Sequence, residues 1–156
     1  MLDAKTDLKS LLKDPSLLAT KAYIGGEWVD GDGGTFAVTN PARGDVIAEV
    51  ADLSRAQVAG AIAQAEAAQK NWAAMTGKER ANIMRRWFDL MMENAEDLGT
   101  ILTAEQGKPH AEAVGEIAYG ASFVEFFGEQ AKRVYGETIP GHQRDKRIMV
   151  LKQPIG

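Results

Sequence analysis

Few residues of this chain have a type and spacing suited to chemistry. It contains two histidines, His110 and His142, and no cysteine. The histidines fall in different elements, without a carboxylate or second histidine at ligand spacing, and both read as surface residues. The missing thiol excludes disulfides, cysteine-liganded zinc, iron–sulfur clusters and a cysteine nucleophile within these 156 residues. The glycines of Asp30-Gly31-Asp32-Gly33-Gly34 would let backbone amides approach an anion. However, no Lys-Ser/Thr pair accompanies them, and nothing after them starts a helix, so a plain turn is the simpler reading. Arg144, Lys146 and Arg147 read as the solvated tip of a hairpin. The remaining candidates are aromatic. Tyr119 and Phe123 lie four apart and share one helix face with Phe126 and Phe127 nearby, as tight helix packing or as the wall of a substrate passage.

These residues must be placed by the surrounding elements. Leu8, Leu11 and Leu12 sit on one helical face, and Asp14-Pro15 caps a second short turn through Leu17 and Leu18. Tyr23, Ile24, Trp28 and Val29 flank Gly25-Gly26. With Thr35 to Thr39 they predict a hairpin about the Asp30–Gly34 turn, and Val46 to Val50 forms a third strand after the Asn40-Pro41 turn.

Ser54 with Gln57, and Thr76 with Glu79, are capping boxes that open helices to about Ala74 and through Met91. In the second, Ile83, Met84, Trp87, Phe88 and Met91 form an apolar stripe. Trp72, Trp87 and the methionines are expected in the core. Asn94 caps a third helix ending at Gly107, and a fourth runs from Pro109 to about Tyr135. That helix tolerates Gly115, Gly120 and Gly128, each costing about 1 kcal/mol relative to alanine, which implies that something packs close to its backbone. Thr138–Pro140 and Arg147–Lys152 then form a two-stranded arm, marginal alone in water.

Composition narrows the class. With 45% apolar residues a core is possible, and a net charge of −4 argues against nucleic-acid binding through a general positive field. The first twenty residues contain Asp3, Asp7 and Asp14 and no arginine. They fit neither a secretory signal nor a mitochondrial transit peptide, and no apolar run spans a bilayer. The expected location is the cytoplasm, with neither a membrane nor a nucleic acid as partner.

Ile24-Gly25-Gly26-Glu27-Trp28, Asn40-Pro41-Ala42 with Gly44, and Glu105-Gln106-Gly107-Lys108-Pro109 resemble the opening third of the aldehyde dehydrogenase superfamily. Arg85 to Met92, Gly115 to Phe123 and Tyr135 to His142 are similar to bacterial NADP-preferring succinate-semialdehyde dehydrogenases. The resemblance covers nearly the whole chain, and its strength lies in the order and spacing of the motifs together.

The resemblance implies an α/β fold, the amino-terminal part of the aldehyde dehydrogenase fold: short strands, four helices, then an oligomerisation hairpin, an incomplete domain. Residues 1–21 would be a docking segment, 22–135 the amino-terminal part of the cofactor-binding domain, and 136–156 the start of the oligomerisation arm. The implied reaction oxidises succinate semialdehyde to succinate, in 4-aminobutyrate degradation, with NADP or NAD, in a homotetramer. Glutarate semialdehyde is the alternative substrate, and a non-catalytic module that binds enzyme subunits is the alternative of another class. The nucleophilic cysteine, general-base glutamate, oxyanion asparagine and cofactor-binding residues are expected beyond Gly156, so the chain alone is expected to be inactive and to bind no cofactor tightly. Two roles carry over from the family: Tyr119 and Phe123 at the aldehyde entrance, with core packing as the equal competitor, and Glu105 as a ligand of a structural monovalent cation, with a solvated carboxylate as its competitor.

Overall fold

The computed structural model describes residues 7–155; residues 1–6 of the expected docking segment and Gly156 at the end of the expected arm lie outside the described residues. The element order is β1 (Ala22–Ile24), β2 (Glu27–Val29), β3 (Thr35–Thr39), β4 (Val46–Ala51), α1 (Arg55–Ala74), α2 (Gly77–Glu93), α3 (Ala95–Gln106), α4 (His110–Gln130), β5 (Glu137–Pro140) and β6 (Arg147–Val150). Two short 3-10 turns, Leu8–Leu11 and Pro15–Leu17, precede β1, each capped by the expected kind of side chain, Asp7 and Asp14. The Ser16 hydroxyl and amide both donate to Asp14 and hold its carboxyl below the usual range.

The strands form three separate antiparallel pairs, β1 with β2, β3 with β4, and β5 with β6. This corrects the hairpin expected about Asp30–Gly34. Gly25 and Gly26 both take positive φ, 62° and 90°, the geometry that matches hairpin twist, so the chain already reverses there and Tyr23 pairs with Trp28. β3 then pairs with β4 across the Asn40–Asp45 turn. The glycine turn is bound elsewhere. Gly33 N–H donates to Asp52 O and Asp52 N–H to Gly34 O, each at 3.0 Å, while Gln57 accepts from Asp32 N–H and donates to the Asp30 carbonyl, each at 2.9 Å.

Both capping boxes form as the residues dictate, at Ser54–Gln57 and Thr76–Glu79. Asn94 does not cap α3 with its side chain. Its Nδ2 donates to Leu90 O at 2.8 Å and so satisfies a carbonyl at the end of α2. Helix α4 ends earlier than expected because its last turn tightens, with Lys132 N–H bonded to Glu129 O and Arg133 N–H to Gln130 O.

α2, α3 and α4 pack into one layer through small residues. Ala81, Ala95, Gly99, Ala113, Ala121 and Gly128 are buried at its seams. A Cβ on Gly128 would stand 2.8 Å from the Met84 Cβ of α2, so this glycine permits the close approach that its cost in helix propensity implied. Gly115 has open space beside it and needs no such explanation within this chain. The expected core differs more. Met84, Phe88 and Met91 are half-buried, but Trp87 is 54% exposed, and Ile83 and Met92 are exposed too. Trp72 is half-buried. The helical layer closes on alanine and glycine and leaves several of its bulkier side chains uncovered. α1 buries no residue, although its apolar positions recur as expected.

Candidate functional site

α4 divides its faces cleanly. At about 100° per residue, Ala113, Ala121 and Gly128 fall on one side, against α2 and α3, and Tyr119, Phe123, Phe126 and Phe127 fall on the other. The structure brings the two expected entrance residues together: the Tyr119 and Phe123 rings meet edge to face with centroids 4.9 Å apart. Phe126 and Phe127 repeat the arrangement at 5.3 Å. Tyr119 is 66% and Phe123 46% exposed, so packing within the described residues does not account for them. The wall is apolar with a phenol at one end, and it can border a passage but supplies no nucleophile. Nearby charges are neutralised in pairs, Arg85 with Glu125 at 2.9 Å and Lys108 with Glu116.

Glu105 sits in the last turn of α3 and is exposed. Gly107 follows in the left-handed conformation, φ 77°, its amide closing on Thr103 O at 2.9 Å. A Cβ there would stand 3.0 Å from Pro41 Cγ, so the Glu105–Pro109 and Asn40–Pro41 motifs lie against each other in space. Among the described residues no group of three or more His, Asp or Glu side chains is placed to hold a metal ion. The glycine turn Asp30–Gly34 does not fit a dinucleotide-binding loop. The space in front of Gly31 is filled by the Asp52 backbone, and the glycine turn runs into β3 rather than a helix.

The structure corrects His110. It is exposed as expected, but its Nε2 lies 3.2 Å from Thr100 Oγ1 and 3.8 Å from Glu96 Oε2. A carboxylate is therefore within reach, brought in from α3 by the helix packing. His142 is on the exposed arm. Arg43 and Asp45 form a two-bond ion pair at 2.7 and 2.9 Å at the β3–β4 turn, and the guanidinium holds the Asp45 carboxyl below its ordinary value.

The functional candidate that sequence reasoning missed is Asp97. It is 6% exposed, and its two oxygens accept the backbone N–H groups of Lys13 at 3.1 Å and Asp14 at 2.8 Å. An aspartate three residues after Asn94 reads as part of a helix start, which hides a long-range role.

The amino-acid sequence from 28 to 156 matches the model of the aldehyde dehydrogenase family. Over 146 residues the chain is 59% identical to a glutarate-semialdehyde dehydrogenase of Pseudomonas aeruginosa and 53% identical to the NADP(+) succinate-semialdehyde dehydrogenase of Escherichia coli, covering 93% of this chain and 30% of each relative. The crystal structure of succinate-semialdehyde dehydrogenase from Burkholderia pseudomallei superposes with a TM-score of 0.90 at 55% identity, over 93% of this chain and 30% of that one. The chain thus spans less than a third of the length of these relatives. Its α/β arrangement of short strand pairs and four helices is a partial domain of their fold, and the chain belongs to the aldehyde dehydrogenase family.

Proposed function

We propose that these residues serve an enzyme that oxidises a short semialdehyde bearing a distal carboxylate, with succinate semialdehyde to succinate as the leading reaction. The observation that carries this reading is that three relatives, at 59%, 58% and 53% identity, act by name on glutarate or succinate semialdehyde, while a fourth, at 56%, is named a 3-sulfolactaldehyde dehydrogenase. Glutarate semialdehyde is the second reading, favoured by the 59% relative. Overall, aldehyde, water and NADP or NAD in its oxidised form give carboxylate, reduced cofactor and two protons.

The family chemistry, thiolate addition to the aldehyde carbon, needs a cysteine, and these 156 residues have none. The nucleophile and the cofactor contacts belong to further residues of the enzyme. In this reading residues 22–135 contribute to the cofactor-binding domain and 136–156 begin an arm that pairs between subunits. Tyr119 and Phe123 border the aldehyde's path, supported by their exposed edge-to-face wall. Glu105 helps to hold a structural monovalent cation. The setting proposed for the enzyme is the cytoplasm.

The test is kcat/KM of the full-length enzyme for succinate semialdehyde, glutarate semialdehyde and uncharged butanal, each with NADP and with NAD. One of the charged substrates should exceed butanal by at least about tenfold, since a site built for a carboxylate leaves its donors unpaired with an uncharged chain. Equal turnover of butanal overturns the reading. The ratio between the two semialdehydes, which differ by one methylene, decides between them.

A further inference from the structure

Residues 7–18 lie against α3 as a strap with three attachments. Leu8 and Leu12 are buried beneath it. Asp97 accepts the Lys13 and Asp14 amides from above α3. Just past the strap's far end, Thr20 O accepts Ala51 N–H at 2.9 Å, tying it to β4. Beside the start of the strap lies an open cavity of about 390 Å³. Leu8 and Leu11 form one wall, and Asn40, Arg43 and Ile47 of the β3–β4 hairpin, Thr100 of α3 and His110 of α4 form the others.

The attachments differ in kind. The leucine contacts are non-directional and survive small shifts. Asp97 is a buried carboxylate, an acceptor only, and the bonds found for it are those two backbone amides. It also stands in the first turn of α3, where the helix dipole favours an anion. Charge-assisted bonds of this sort are roughly twice as strong as neutral ones. Once the strap lifts, Asp97 and both amides can reach water, so opening costs little beyond these bonds and the leucine burial, and it leaves the α2–α3–α4 seams intact.

We infer that Asp97 is a clasp, and that the 7–14 part of the strap opens and closes as a unit at the edge of this cavity without unfolding of the helices. In the full-length enzyme, Leu12→Cys places a new thiol at a buried strap position, where labelling located by peptide mass spectrometry reports strap opening, while hydrogen exchange of the α4 amides reports opening of the helical layer.

With Asp97→Asn added, labelling should accelerate at least about tenfold, because the amide turns one acceptor into a donor facing an N–H group. The α4 exchange should stay within about twofold. Lys13→Pro breaks the clasp from the strap side by removing one donor, leaves α3 untouched and should give the same acceleration, so the result does not depend on Asp97→Asn folding well. Labelling that accelerates less than this in both variants overturns the clasp. α4 exchange rising in parallel with labelling overturns an independently opening strap.

Discussion

The helical layer and the β5–β6 arm are opposite solutions to one problem. α2, α3 and α4 satisfy each other, with alanine and glycine at the seams and a Gly128–Met84 approach that a single Cβ would spoil. In the arm, Glu137–Pro140 and Arg147–Val150 make a complete antiparallel ladder, yet every one of their residues is exposed. A ladder fixes the backbone but buries nothing, and a two-stranded ribbon of that kind is marginal in water. The arm's apolar residues Ile139, Ile148, Met149 and Val150 therefore make sense against a surface beyond these residues, whereas the seams of the layer close within them. The aromatic face of α4 joins the two cases, a well-packed helix with one side left over.

The largest expected effect concerns what both regions lack. With no cysteine in either, the 156-residue chain incubated with succinate semialdehyde and NADP should form no reduced cofactor. Turnover above a blank that survives removal of host enzymes would mean that the helices or the arm carry a chemistry of their own.

The next test breaks the layer. Gly128→Leu places side-chain atoms where Met84 already stands. Overpacking of this kind costs about 1–3 kcal/mol, offset by less than about 1 kcal/mol of helix propensity, so the melting temperature should fall by about 1–8 °C for a chain of this size. An unchanged melt would show that α2 and α4 are free to move apart and that the seam does not hold the layer.

The arm should respond in the reverse way. Val150→Pro removes a backbone donor from β6, yet the melt of the 156-residue chain should move by less than about 1 °C, since nothing is buried there. In the full-length enzyme the same change should shift the oligomer toward smaller species in light scattering. An unchanged oligomer would make residues 137–150 a simple surface hairpin.

What the amino-acid sequence made legible was local. Ser54–Gln57, Thr76–Glu79 and Gly107-Lys108-Pro109 place helix ends within a few residues because caps act over three or four positions. Pairing was legible only where a turn left one choice. Two glycine turns lie between Ala22 and Thr35, and the tighter one, Gly25-Gly26, closed the hairpin. The stripe of α2 showed that a face wants cover but could not show that Trp87 is covered by nothing in these residues. Asp97 and His110 were illegible for another reason. The partners of Asp97 lie 83 and 84 positions away, and Glu96 reaches His110 only once α3 and α4 pack.

The smallest expected effect compares two helix starts that share one geometry. At α1 the Gln57 side chain accepts the Ser54 amide at 3.0 Å, and at α2 the Glu79 carboxylate accepts the Thr76 amide at 2.7 Å and its hydroxyl at 2.8 Å. Only the second can titrate. The Thr76 backbone and hydroxyl donors hold the Glu79 carboxyl below its ordinary value, so the unfolded chain binds this proton more tightly than the folded one. The cap's contribution is therefore whole above the unfolded value, about 4.3, and is lost as pH falls from there through the lower folded value. Glu79→Gln converts the α2 box into the α1 kind. The melting difference between parent and variant should favour the parent at neutral pH and shrink on acidification below about pH 4, while the other carboxylates titrate alike in both proteins and cancel. A difference that stays flat from neutral to acid pH would show that the Thr76 bonds to Glu79 do not depend on its charge, and that the two boxes are equivalent after all.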